Sequence, residues 1–271
     1  MVAASHKNKN PCKKKNGINN TWYQYPFPQT VLYDKAVRLK IGLYGYDNLF
    51  KHSINSANYN ILADKITHKL KKLTIDFYDR TDVLQIAKEL LGKIIVTKFE
   101  GIITSGRIVE TEAYIAIGDR ASHSFGGRRT ARNEAMFAPA GTSYVYICYG
   151  MHHLFNVVTN KKNVPDAVLI RAVEPMKGID MMLLRTGKKK LDNTLTKGPG
   201  NVSKALGIDK QHSNITLQGK NIFIADDGFI VNDKITGTSK RIGVEGAGDS
   251  ASLPYRFYIK GNKFVSGSPT R

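Results

Sequence analysis

The sequence predicts a mixed α/β fold of the α+β kind: a single domain with largely antiparallel sheets. Two observations carry this. Helical and strand-like stretches are interspersed without the regular βαβ rhythm that builds a parallel sheet. Neighbouring β-rich stretches meet at short Gly- or Ser-containing breaks, as antiparallel hairpins do. The length of 271 residues, 41% of them hydrophobic, suffices for one large domain or two small ones with a substantial core. No internal repeat is visible.

The first 75 residues differ from the rest. They hold thirteen Lys/Arg against three Asp/Glu, which is +10 of the net charge of +19. "HKNKNPCKKKNGINN" is poor in apolar residues and reads as disordered. Trp22 to Lys72 is mixed, with room for short helices. The expected organisation is a basic, partly disordered extension over 1–75 and one folded domain over 76–271. The extension has three candidate roles: an arm on DNA, a nuclear or organellar address, or a solvated tail.

Regular structure becomes readable at Tyr78. Val83, Ile86, Ala87, Leu90 and Leu91 recur at helical spacing, with Thr81 or Asp79 as N-cap and Gly92 as terminator. "KIIVTKF" and "TSGRIVETEAY" read as two strands, turned at Ser105-Gly106. Residues 119–142, rich in Gly, Arg and Ser, read as a loop. "SYVYICYGMHHLFNVVTN" reads as two strands about a turn at Gly150, and "DAVLIRAVEP" as a buried strand. "GIDMMLLRTG" reads as a helix, followed by the Gly/Pro-rich "KGPGNVSKALGI". Several short strands finish the chain.

A net charge of +19 and a pI near 9.8 favour a polyanionic partner, DNA, RNA or an anionic membrane surface, over a merely soluble basic protein. The two cysteines, Cys12 and Cys148, make a disulfide framework or a cysteine-built zinc site improbable. The histidines show no H-x-x-x-H pairing. No metal or cofactor is expected. No apolar run approaches the ~18 residues of a membrane span, and no secretory signal opens the chain. An intracellular protein is expected, in a nucleus, a bacterial nucleoid or cytoplasm, or an organelle.

The chemistry-bearing stretches are "RIVETEAY" and "SYVYICYGMHH". In the first, strand alternation puts Glu110, Glu112 and Tyr114 on one face. The pattern fits a solvated acidic face, a general base beside an aromatic platform, or a glycosidase carboxylate pair, which needs its carboxyls ~5–9.5 Å apart. In the second, Tyr144 and Tyr146 share a face, and Tyr149 stands beside Gly150 at a turn, placed to protrude. Core packing of these tyrosines is the competing reading. Arg128, Arg129 and Arg132, in a glycine-rich loop with His123, suit phosphate contacts.

"RIVETEAY", "RASHSFGGRRT", "SYVYICYGMHH", "VLIRAVEP", "GPGNVSKALGI" and "RFYIKGNKFVS" resemble, in that order, the alkyladenine (3-methyladenine) DNA glycosylases. The resemblance runs from about Tyr78 to Ser266. It implies a curved antiparallel sheet with a β-hairpin that inserts into the DNA minor groove. It implies a monomer acting on double-stranded DNA that contains damaged purines, with no membrane partner. Such enzymes flip the damaged nucleotide out of the duplex and hydrolyse its N-glycosidic bond.

By this resemblance Glu112 is the general base that activates a water, and Arg171 and the Ile242 carbonyl help hold that water. Glu110 is supporting. Tyr114 and Tyr146 sandwich the flipped base, and His123 bonds to its edge. Asn156 disfavours the guanine amino group. Tyr149 intercalates, with Met151 beside it. Two departures stand out. Asn201 follows "KGPG" where the family often has a basic residue, and Glu245 sits in "GVEGAG" where other residues are common. No lysine falls within the base-pocket motifs, which favours a monofunctional glycosylase over one with a Schiff-base lyase step. A glycoside hydrolase using Glu110 and Glu112 would leave the positive charge idle. A non-catalytic nucleic-acid-binding module would leave Glu112 unexplained.

Overall fold

A computed structural model describes residues 70–267. Most of the basic extension expected over 1–75 therefore lies outside the described residues. The strands are β1 (Lys71–Lys72), β2 (Ile94–Phe99), β3 (Ile102–Tyr114), β4 (Ser143–Cys148), β5 (His152–Thr159), β6 (Asp166–Lys177), β7 (Ile222–Asp226), β8 (Thr236–Ser239) and β9 (Arg256–Ile259). The helices are α1 (Ile75–Tyr78), α2 (Val83–Glu89), α3 (Ile179–Thr186) and α4 (Pro199–Leu206), with short 3₁₀ turns between.

All the strands join one antiparallel sheet in the order β1-β7-β2-β3-β6-β5-β4, and β8 and β9 extend it from β3. The mixed, antiparallel expectation holds. β3 organises the sheet. Its first half pairs with β2, its second half with β9, and nearly its whole length with β6. The main core packs α2, α3 and α4 against the sheet through residues such as Ile86, Met182, Leu206, Val109 and Ile170. Among the described residues no helix is long and apolar enough to cross a membrane.

Two local expectations need correction. The N-cap of α2 is Asp82, not Thr81 or Asp79. Its carboxylate accepts the Gln85 N–H at 2.9 Å, while Asp79 pairs with Lys161. The β2–β3 hairpin turns at Glu100-Gly101, not at Ser105-Gly106. Phe99 opposes Ile102 in register, and both turn residues have positive φ, as a tight two-residue hairpin turn requires. Gly106 lies inside β3, where a Cβ would come within 2.7 Å of Val173. Its glycine is needed for close strand approach rather than for reversal. The Gly/Pro-rich segment, for which no element was expected, contains α4, which begins with Pro199 at its first turn and ends at Gly207 in the left-handed conformation.

Candidate active site

Sheet register assembles the site. Glu112 on β3 opposes Leu169 on β6, Leu169 opposes Asn156 on β5, and Asn156 opposes Tyr144 on β4. Directly opposed residues project to the same face of a sheet, so this row brings an acid, an amide and a phenol together from four strands. A cavity of about 550 Å³ lies on that face. It is lined by Tyr114, His123, Tyr144, Tyr146, Asn156 and Arg171, among others.

Arg171 follows the alternation of β6: Ile170 and Ala172 face the main core, and Arg171 shares the other face with Leu169. The β3–β6 register is locally irregular here, with Glu110 opposite Ala172 and Thr111 opposite Ile170. The guanidinium reaches both acids: Nε lies 3.2 Å from Glu110 and Nη1 lies 3.2 Å from Glu112.

The two glutamates share a face, as expected, yet differ in their surroundings. Both are fully buried. Glu110 is the more heavily engaged, with three donors on Oε1 and one on Oε2. It accepts from Arg256 Nε at 2.6 Å, Arg171 Nε at 3.2 Å, and the Ser266 N–H and hydroxyl at 2.6 and 2.8 Å. A group gripped by two arginines and Ser266 is placed as an anchor rather than as half of a glycosidase pair. Glu112 accepts from the Ile242 N–H at 2.8 Å and Arg171 on one oxygen, and from the Tyr114 hydroxyl at 2.8 Å on the other. A carboxylate offers about four acceptor positions, so one remains for a water. Burial pushes the Glu112 pKa up. Arg171, the Ile242 N–H and Tyr114 pull it back only in part, and Glu110 adds repulsion. The result is a carboxylate that is a stronger base than a solvated one.

His123 Nδ1 lies 2.8 Å from the Tyr144 hydroxyl, and its ring meets Tyr146 edge-on at 4.6 Å. Burial lowers its pKa, and Arg132 and Arg128 lower it further, so the ring stays neutral near pH 7. Tyr144 and Tyr146 stack at 5.6 Å. Asn156 donates its amide to the Tyr144 and Leu154 carbonyls, which fixes its orientation in the cavity wall.

Tyr149 and Met151 flank Gly150 at the tip of the β4–β5 hairpin and are 86% and 72% exposed. Tyr149 has φ of +50°, a strained value for an aromatic residue. The backbone strain costs stability and marks the hairpin tip as a position held for a reason other than local packing. Arg132 lines the cavity, and Arg128 and Arg132 line a smaller neighbouring one with Arg120. Arg129 is instead held by Glu134 and lies over the Phe137 ring.

The Asn201 amide donates to the Lys197 and Thr194 carbonyls and so braces the start of α4. Glu245 is exposed and accepts the Gly243 N–H. One lysine, Lys197, does line the cavity, although none lies in the base-pocket motifs. Arg241, Asp119, Arg256 and Ser266 also brace the site, through contacts between residues 95 to 156 positions apart along the chain. Scattered single arginines and serines give no local signal of such contacts.

The family model described as methylpurine-DNA glycosylase matches residues 76–263. A Clostridium perfringens protein provisionally named 3-methyladenine DNA glycosylase is 44% identical over 203 residues, covering 72% of this chain and 98% of its own. Similarly named proteins of Desulfitobacterium hafniense and Chlamydia felis are 43% and 45% identical. They cover 73% and 68% of this chain, and 99% and 93% of their own. The core at Tyr78, the buried acid and the tyrosine-lined cavity all fall within the matched span, and the chain belongs to the methylpurine-DNA glycosylase family.

Proposed function

We propose that this protein flips an alkylated or otherwise damaged purine, 3-methyladenine among them, out of duplex DNA. A water activated by Glu112 then hydrolyses the N-glycosidic bond and leaves an abasic site for base-excision repair. Membership of the family makes the chain a DNA glycosylase, a hydrolase of N-glycosyl bonds. The observation that carries the mechanism is Glu112 itself: a fully buried carboxylate of raised basicity beside an aromatic cavity, with one acceptor position free.

The water sits between Glu112, Arg171 and the Ile242 carbonyl. Glu112 takes its proton as the oxygen attacks the sugar C1′. The departing base leaves positive charge on the sugar, which the nearby carboxylate stabilises. Tyr114 and Tyr146 stack on the flipped base, and a purine alkylated at N3 or N7 is a cation that their faces attract. Neutral His123 accepts the Tyr144 proton at Nδ1 and presents Nε2–H to the base edge. Asn156 crowds the guanine amino group. Arg128 and Arg132 contact phosphates; Arg129 joins them only by leaving Glu134. The basic extension over 1–75 adds electrostatic grip on the duplex. The protein acts as a monomer, in whichever compartment holds the genome.

Incubation with alkylated duplex DNA tests the reading. Free methylated purines should appear, with the abasic strand left uncut. No base release by the folded protein would overturn it. Strand scission with borohydride-trappable adducts would instead make Lys197 a nucleophile.

The raised Glu112 pKa sets a second expectation. The ionised form is active, so single-turnover excision should fall as pH drops through a value above that of an ordinary glutamate. An acid limb at or below the ordinary value would remove Glu112 ionisation from control of the rate.

Tyr149→Ser at the hairpin tip should slow excision of well-paired lesions by about tenfold or more. Lesions opposite mismatches or in single strands, where unstacking costs less, should be nearly unaffected. An equal loss on every substrate would move Tyr149 from the DNA wedge into the base pocket.

A further inference from the structure

Arg241 is fully enclosed and makes contacts that a purely structural ion pair does not need. Its Nη1 and Nη2 form a fork on Asp119, with Nη2 2.8 Å from Oδ1. They also donate to the Ala113 and Ser250 carbonyls at 2.9 and 3.0 Å. The guanidinium lies over the Tyr114 ring, 4.7 Å from its centroid, and 5.3 Å from that of Tyr255. Its Nε–H has no hydrogen-bond partner among the described residues. A buried donor left open is a cost, so the position of the group is set by something besides pairing with Asp119.

Tyr114 lines the cavity, whereas Arg241 packs over the Tyr114 ring and does not line it. Asp119 meets the guanidinium at its edge, in the plane of the fork. The charged face turned toward Tyr114 is therefore not covered by the carboxylate.

We propose that Arg241, held by Asp119, is a specificity-determining positioning residue: it occupies the rear face of Tyr114 and weakens the attraction of the front face for a cationic base relative to a neutral one. This rests on the reading of Tyr114 as a stacking surface for the flipped base. A cation draws π density toward itself, so a second cation on the opposite face meets a poorer acceptor and some direct repulsion. A neutral base is affected much less, because its stacking depends on dispersion and area. The arrangement narrows the gap between charged alkylpurines and neutral damaged purines, and so keeps the neutral ones within the enzyme's range.

The same residue anchors the site mechanically. Asp119 also accepts from the Ile115 and Ala121 N–H groups at 3.4 and 3.0 Å, which fixes the chain leading to His123. Arg241 directly precedes Ile242, whose N–H holds Glu112. A merely structural role predicts equal losses on all substrates, so the test is a ratio. Single-turnover excision is compared on duplexes containing 7-methylguanine, which is cationic, and hypoxanthine, which is neutral.

Arg241→Met combined with Asp119→Asn removes the pair without stranding a buried charge. Arg241→Gln combined with Asp119→Asn also removes both charges but keeps a polar pair, and serves if the first double variant fails to fold. In either folded variant the ratio of cationic to neutral excision should rise about threefold to tenfold. An unchanged ratio, with both rates falling in step, would overturn the proposal and leave Arg241 a brace. Tyr114→Leu in the wild-type background separates the two layers. It should lower the ratio; if it leaves the ratio unaltered, the stacking reading itself fails.

Discussion

Glu112→Gln should lower single-turnover excision by ~10²–10⁴-fold, the usual effect of removing a general base. Binding to lesion-containing duplex should stay within a few-fold of wild type. The glutamine can keep the local contacts. Its oxygen accepts from the Ile242 N–H and Arg171, and its amide faces the Tyr114 hydroxyl, which can turn to accept. It cannot take a proton from water. The fold should not suffer either. Glu112 has its pKa raised by burial, so its contribution to stability is fully present below the unfolded pKa and is lost as pH rises through the folded value. At neutral pH burial disfavours the ionised carboxylate while Arg171 favours it, and the amide keeps hydrogen bonds to the same partners. The melting temperature at pH 7 should therefore stay close to that of wild type. Excision within tenfold of wild type would remove Glu112 from the role of base. A large drop in melting temperature would make it a structural acid.

The strands that carry the site were legible because their signals are local. Alternation in "RIVETEAY" put Glu110, Glu112 and Tyr114 on one face, and the β4–β5 hairpin turns where Tyr149-Gly150 indicated. The turn at Glu100-Gly101 was obscured by a competing Ser-Gly pair. That pair is kept in the strand by the space needed beside Val173. Helix α4 was hidden because Pro and Gly, which usually interrupt helices, here occupy its first turn and its end. The pairing of Asp119 with Arg241, and of Glu110 with Arg256 and Ser266, spans more than a hundred residues and has no periodicity to reveal it. Register across β3, β6, β5 and β4 decides which side chains meet, and register belongs to the sheet rather than to any one stretch of sequence.

Glu110 and Glu112 stand two residues apart on one strand, and the expected consequences of losing them are opposite. Glu110→Ala should destabilise the fold by about 3–5 kcal/mol, the usual effect of removing one partner from a buried charge network. Arg256 and Arg171 are almost fully buried and both rely on Glu110, as do the Ser266 N–H and hydroxyl. Arg171 retains Glu112, whereas Arg256 keeps the Ser239 hydroxyl, the Ser266 carbonyl and the Tyr258 ring but no carboxylate among the described residues. A loss of this size is a large share of the ~5–15 kcal/mol that holds a typical domain together. Glu110→Gln should cost less, because it still offers an oxygen to Arg256 or to the Ser266 N–H. The variant that folds should excise bases far better than Glu112→Gln does, since the attacking water and its base are intact. The check is urea denaturation of both Glu110 variants beside single-turnover excision scaled to the folded fraction. Stability equal to wild type with excision collapsed would exchange the roles of the two acids. Stability lost with excision retained would separate a strand's two glutamates into one that holds the sheet's arginines and one that does the chemistry.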